Sequence, residues 1–101
     1  MAIARGATIS NIFTVPVDLT TAVKMYITYD QFGRTVLEKT LEDCTITATK
    51  ITVDLSQEDS LKFTENKKIK IQIRAKLSDG SAHVSEIIET TAGELLKEGV
   101  I

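Results

Sequence analysis

From Ile69 to Leu77 apolar and polar residues alternate without a break. Ile69, Ile71, Ile73, Ala75 and Leu77 share one side, and Lys70, Gln72, Arg74 and Lys76 share the other. A period of two, rich in β-branched residues, predicts a strand with one buried and one wet face. A helix would scatter the isoleucines around its circumference. Asp79-Gly80 follows, a dipeptide suited to a type I′ hairpin because both central residues of that turn need positive φ. A two-residue loop there opposes Leu77 to Ala82, Ala75 to Val84, Ile71 to Ile88 and Lys70 to Glu89. The same register puts His83 opposite Lys76 on the wet face, and Glu86 opposite Ile73 on the apolar line. A buried, unpaired carboxylate is costly, so the pattern predicts a bulge near Ser85 to Ile88 or a sheet edge there.

The same alternation recurs upstream. Val23, Met25, Ile27 and Tyr29 predict an inward line, and Gln31-Phe32-Gly33 predicts a three-residue loop closed by a left-handed Gly33. That register opposes Asp30 to Arg34, Ile27 to Leu37 and Val23 to Leu41. A third pair joins Cys44, Ile46 and Ala48 to Ile51, Val53 and Leu55 through a loop at Thr49-Lys50, although Thr-Lys is poor turn chemistry. Thr8 to Val15 predicts one more strand, which Pro16 ends because proline cannot donate to a ladder. Ser56-Gln57-Glu58-Asp59 opens like a helix capping box, with Leu61 and Phe63 free to turn inward. The stretch from Glu94 to Ile101 predicts a short helical turn.

About seven strands with short turns predict an all-β fold with one short helical turn. An antiparallel β-sandwich of immunoglobulin-like architecture comes first and a small barrel second. The disulfide and tryptophan of antibody domains are absent, so only the architecture is expected. With 101 residues and no linker, repeat or low-complexity tract, residues 1–101 are expected to form one domain.

Composition narrows the function classes. Hydrophobic residues make up 43% and charged residues 26%, a globular balance. The net charge of -2 and the dispersed basic residues give no general pull toward nucleic acid or an anionic membrane. The first six residues are too short and too weakly apolar to act as a signal peptide, and no stretch approaches the ~20 apolar residues of a membrane span. One cysteine, Cys44, forbids an intrachain disulfide, and one histidine, His83, falls short of a zinc ligand set. Synthesis in a bacterial cytoplasm is the expectation, with no cofactor and no metal.

Candidate chemistry is sparse. His83 reads as a solvated strand histidine, and Cys44 as a small buried hydrophobe whose neighbour Asp43 opposes the thiolate. Glu42-Asp43 and Glu58-Asp59 do not face one another across a cleft as glycosidase carboxylates must. No glycine-rich phosphate cradle or calcium loop is present. The expectation is therefore a protein that is not an enzyme. Two features remain unabsorbed. Glu86 either returns to water at a bulge or pairs with a cation on a neighbouring subunit. Leu95, Leu96, Val100 and Ile101 either pack back on the sheet or dock against another copy or partner. These five residues form the candidate interface.

A series of short blocks carries a resemblance: Arg5-Gly6-Ala7-Thr8, Phe13-Thr14-Val15-Pro16, Val36-Leu37-Glu38-Lys39-Thr40, Asp43-Cys44-Thr45, the stretch from Leu55 to Phe63, and Ile71-Gln72-Ile73-Arg74. Together they resemble small proteins encoded by phages and prophages of gut Firmicutes, commonly near virion structural genes. Relatives tend to carry a Gly-Asn type turn where this chain has Thr47-Ala48-Thr49-Lys50. The resemblance implies a virion, tail or baseplate-associated module acting through protein–protein contacts, with itself or with other phage structural proteins. It carries no functional residues across. The rival expectation is a carbohydrate-binding, adhesion-type sandwich using Tyr26 and Phe32.

Overall fold

The computed structural model describes residues 2–101. Their strands are β1 (Ala2–Ile3), β2 (Ile9–Thr14), β3 (Ala22–Gln31), β4 (Arg34–Thr40), β5 (Cys44–Thr47), β6 (Lys50–Leu55), β7 (Lys68–Leu77), β8 (Ala82–Val84) and β9 (Ile88–Ala92). A 3-10 turn covers Leu41–Asp43 and one short helix, α1, covers Gln57–Leu61. One sheet has the order β1-β9-β7-β3-β4, with β8 also on β7; the other has the order β2-β6-β5. Every pairing is antiparallel except β1 with β9.

This is an immunoglobulin-like sandwich. The run β9-β7-β3 matches strands G-F-C of that plan, with β4 added as C′, and β2-β6-β5 matches B-E-D. The inner faces supply the core. Met25, Ile27, Tyr29, Ile69, Ile71 and Ile73 of the larger sheet meet Phe13, Ile51, Val53 and Leu55 of the smaller one. Burying each such side chain stabilises the fold by about 1.5–3 kcal/mol. Phe63, just past α1, closes one end and lies with its ring 5.8 Å from that of Tyr29. The capping box at α1 forms as expected: Ser56 Oγ accepts from Asp59 N–H, and Asp59 Oδ2 accepts from Ser56 N–H.

Several registers differ from expectation, each for a local reason. The β7 to β8 connection is a three-residue loop, Ser78-Asp79-Gly80, closed by Leu77 N–H to Ser81 C=O, with Gly80 alone at positive φ. Asp79 Oδ1 accepts from the N–H and hydroxyl of Ser81, which favours this turn over type I′. The register along β8 therefore slips by one: His83 opposes Ala75 and Val84 opposes Arg74. The expected pairs Lys70 with Glu89 and Ile71 with Ile88 then return in β9, because a bulge over 85–87 absorbs the slip.

In the β3–β4 hairpin the loop is two residues, Phe32 and Gly33, at φ 56° and 73°. That type I′ turn pairs Gln31 with Arg34, and a bulge at Tyr29/Asp30 then sets Tyr29 opposite Leu37 and Ile27 opposite Lys39. A second irregularity, between Ala22 and Lys24, turns Val23 outward instead of inward. The β5–β6 hairpin turns at Ala48-Thr49, with Ala48 at φ 52°, and pairs Ile46 with Ile51 and Cys44 with Val53. This register slips by two, so the faces are kept. Residues 93–101 form no helical turn; their backbone is held by long-range contacts instead.

Candidate interaction surfaces

Glu86 sits in the break between β8 and β9, where the chain leaves the ladder. Ser85 takes over as partner of β7. Its N–H donates to Ile73 C=O at 2.8 Å, and its hydroxyl accepts from Ile73 N–H at 2.9 Å. The same hydroxyl donates to the Glu86 carbonyl, and Gln72 Nε2 donates to the carbonyl of Ser85. With its backbone so placed, Glu86 turns its carboxylate to solvent, and among the described residues it makes no ion pair.

Beside this break lies an open groove of about 440 Å³ between the edge of β8 and residues 14–19, the stretch that runs on from the end of β2. Val15, Leu19, Ile73, Ala75 and Ile88 give it apolar walls, with Glu86 and His83 at the margin. His83 is thus half-buried on the inner side, not on the wet face, because the one-residue slip in β8 exchanges the faces of that strand. Its Nε2 lies 3.2 Å from Ser81 Oγ.

The segment 94–101 divides the remaining candidates. Leu95 packs back: a methyl group built on Gly6 would meet its Cδ2 at 2.9 Å and Leu61 Cδ2 at 3.7 Å. Leu96 and Ile101 are 95% and 96% exposed, and Val100 is exposed as well. Yet the backbone here is fastened. Leu95 N–H donates to Glu65, the Arg5 guanidinium grips both oxygens of Glu98 at 2.8 and 3.2 Å, and the Gln57 amide brackets the N–H and C=O of Ile101. Arg5 is itself anchored by donating from Nε to Phe63 C=O at 2.7 Å. The hydrogen bond from Arg5 holds the Glu98 carboxyl below its usual range.

On the outer face of the larger sheet a second groove, of about 500 Å³, is lined by Tyr26, Asp30, Glu38, Lys70, Gln72 and Arg74 among others. Asp30 Oδ1 is buried there with no hydrogen-bond partner among the described residues. Lys24 Nζ stands 5.7 Å from the Tyr26 ring centroid. Phe32 is exposed at the β3–β4 turn, six positions along the chain and so about 20 Å away. The two aromatics do not share a groove.

Elsewhere the titratable groups serve the fold. Burial, then the neighbouring Asp43, pushes the Cys44 thiol up to about 11, and the thiol donates to Thr40 C=O. Asp43 caps the 3-10 turn by accepting from Thr40 N–H. Burial works to raise Asp59, but hydrogen bonds from Lys39 and the Ser56 N–H outweigh it and hold the carboxyl low. No group of three or more His, Cys, Asp or Glu among the described residues could hold a metal ion, and no helix is long and apolar enough to cross a membrane.

Sequence patterns missed Arg5, Gln57 and Ser85. Their partners are 58, 44 and 12 positions away, so no local spacing announces them. No protein-family model, curated protein or solved structure matches the chain at a significant level.

Proposed function

We propose that this domain is a non-enzymatic assembly module that works through protein–protein contacts. One observation carries the reading: Leu96 and Ile101 are almost wholly exposed on a backbone that Arg5 and Gln57 hold in place. Covering apolar side chains releases about 25 cal/mol per Å², and a fastened backbone loses little further entropy when they are covered. The blocks resembling phage and prophage proteins add a context, the virion and in particular its tail or baseplate, with other structural proteins or further copies of this chain as partners. Light scattering of the purified domain from micromolar to millimolar concentration tests the reading. Association that weakens on replacing Leu96 and Ile101 by serine supports it; a strict monomer whose behaviour those changes leave untouched counts against it.

One feature favours a second reading, a carbohydrate-binding module. Tyr26 lies in the outer-face groove beside the polar side chains of Asp30, Gln72 and Arg74, the groups that sugar hydroxyls pair with. A glycan array with the Tyr26→Ala variant as control decides it, and silence of the native domain removes it.

A further inference from the structure

We propose that copies of this chain join head to tail, the segment 96–101 of one copy lying in the groove between β8 and residues 14–19 of the next. The inference rests on the protein-contact reading and adds its geometry. The groove suits an extended peptide. Its volume of about 440 Å³ falls in the range of ligand clefts, roughly 300–1,000 Å³. One bank is a sheet edge, since among the described residues β8 pairs only with β7, and the other is the stretch 14–19 that runs on from the end of β2. Such an edge carries unpaired main-chain groups that an added strand can use, while an apolar floor, here Ile73 and Ala75, takes alternate side chains.

The segment suits the groove in turn. Leu96, Val100 and Ile101 present apolar side chains to solvent, and valine and isoleucine favour extended backbone. Gly99, at φ 102°, lets the chain bend between the fastened Glu98 and the pair Val100-Ile101. Charge agrees as well. Exposed Lys97 lies among the apolar residues of the segment, and exposed Glu86 stands at the groove's margin. Opposite charges in those places fix register and orientation more than they add affinity.

Position decides between a second copy and self-occupancy. The segment is fastened to Glu65 and α1, at the end of the sandwich where β7 begins with Lys68. The groove reaches the other end, where β7 runs out at Leu77 and Ser78 N–H donates to Thr21. While bound to Gln57, a copy's own segment cannot fill its own groove. Two different surfaces then meet at each contact, so the interface is heterologous and grows into a ring or a filament, not a closed two-fold dimer.

The test uses two variants of the full chain. Leu96→Ser with Ile101→Ser spoils the segment, and Val17→Arg blocks the groove, which Val17 also lines. Native mass should climb past dimer with concentration, and each variant alone should associate at least tenfold more weakly. An equimolar mixture should form dimers of one copy of each and stop, because only one good segment meets one good groove. Glu86→Lys, at an exposed site, gives a second handle: it should weaken association, and adding Lys97→Glu should restore it. Association that survives both variants, or a mixture that stays monomeric, overturns the head-to-tail contact while leaving the protein-contact reading in place. A native chain that stays monomeric at millimolar concentration overturns self-association altogether.

Discussion

Tyr29 Oη donates a 2.8 Å hydrogen bond to Asn11 Oδ1 across the core, tying β3 of the larger sheet to β2 of the smaller one. Both residues are buried, and burial pushes the Tyr29 hydroxyl well above its ordinary range, so it stays protonated and remains a donor. Tyr29→Phe leaves the Asn11 acceptor stranded and should destabilise the domain by about 1–3 kcal/mol. Urea unfolding measures this, and a loss below a few tenths of a kcal/mol would mean that the bond contributes little.

Ala48 adopts φ 52° without glycine's freedom. A left-handed alanine costs roughly 1 kcal/mol, so Ala48→Gly should raise stability by about 0.5–1 kcal/mol. Thermal unfolding reads the change directly. A lower midpoint would contradict the turn at Ala48-Thr49.

The Asp59 carboxylate serves two partners, accepting from Ser56 N–H in the capping box of α1 and from Lys39 Nζ at 2.8 Å. Asp59→Ala leaves the Ser56 cap in place and should cost about 0.5–1.5 kcal/mol through the lost bond to Ser56 N–H alone. The acid response follows from the sign of the shift. Asp59 is held below its ordinary value, as are Asp18, Asp79 and Glu98 through their hydrogen bonds. The stability these groups contribute is present above the ordinary carboxylate range and drains away as pH falls below about 4. Unfolding midpoints from pH 7 down to 2 should therefore stay level and then drop. An unchanged acid limb in the Asp59→Ala variant would show that Asp59 has no part in it.

Cys44, with its thiol pushed up to about 11, should react slowly with iodoacetamide at pH 8 in the folded domain. Its rate should still be rising at pH 10, whereas the unfolded chain reacts as an ordinary thiol. Equal rates for folded and unfolded protein would refute the burial argument.

Arg5 fastens the segment 94–101 through Glu98 and Phe63. Arg5→Lys keeps the charge but loses the planar two-point grip. Proteolysis after Lys97 should accelerate several-fold, with little change in the unfolding midpoint of the sandwich.

The chain's own pattern determined which residues of the unbroken strand β7 face the core. The line from Ile69 to Leu77 is buried at every apolar position, because side chains alternate faces along any strand whatever its neighbours. Gly33 and the capping box at Ser56 were equally legible, since φ preference and short-range hydrogen bonding are local properties. Tertiary structure alone decided the registers. Whether a turn holds two residues or three depends on balances such as the Asp79–Ser81 bonds, and a bulge can cancel the difference a few residues later. It also decided the surfaces. The alternation marked Glu86 as a residue that had to leave the inner line, and the Ser85 bond to β7 turned it outward. Nothing local could place it beside a groove whose other bank lies some seventy positions earlier, or show that Leu95 would turn in while Leu96 turned out. Faces follow from backbone periodicity only where a strand runs unbroken, whereas grooves and fastenings follow from contacts between distant parts of the chain.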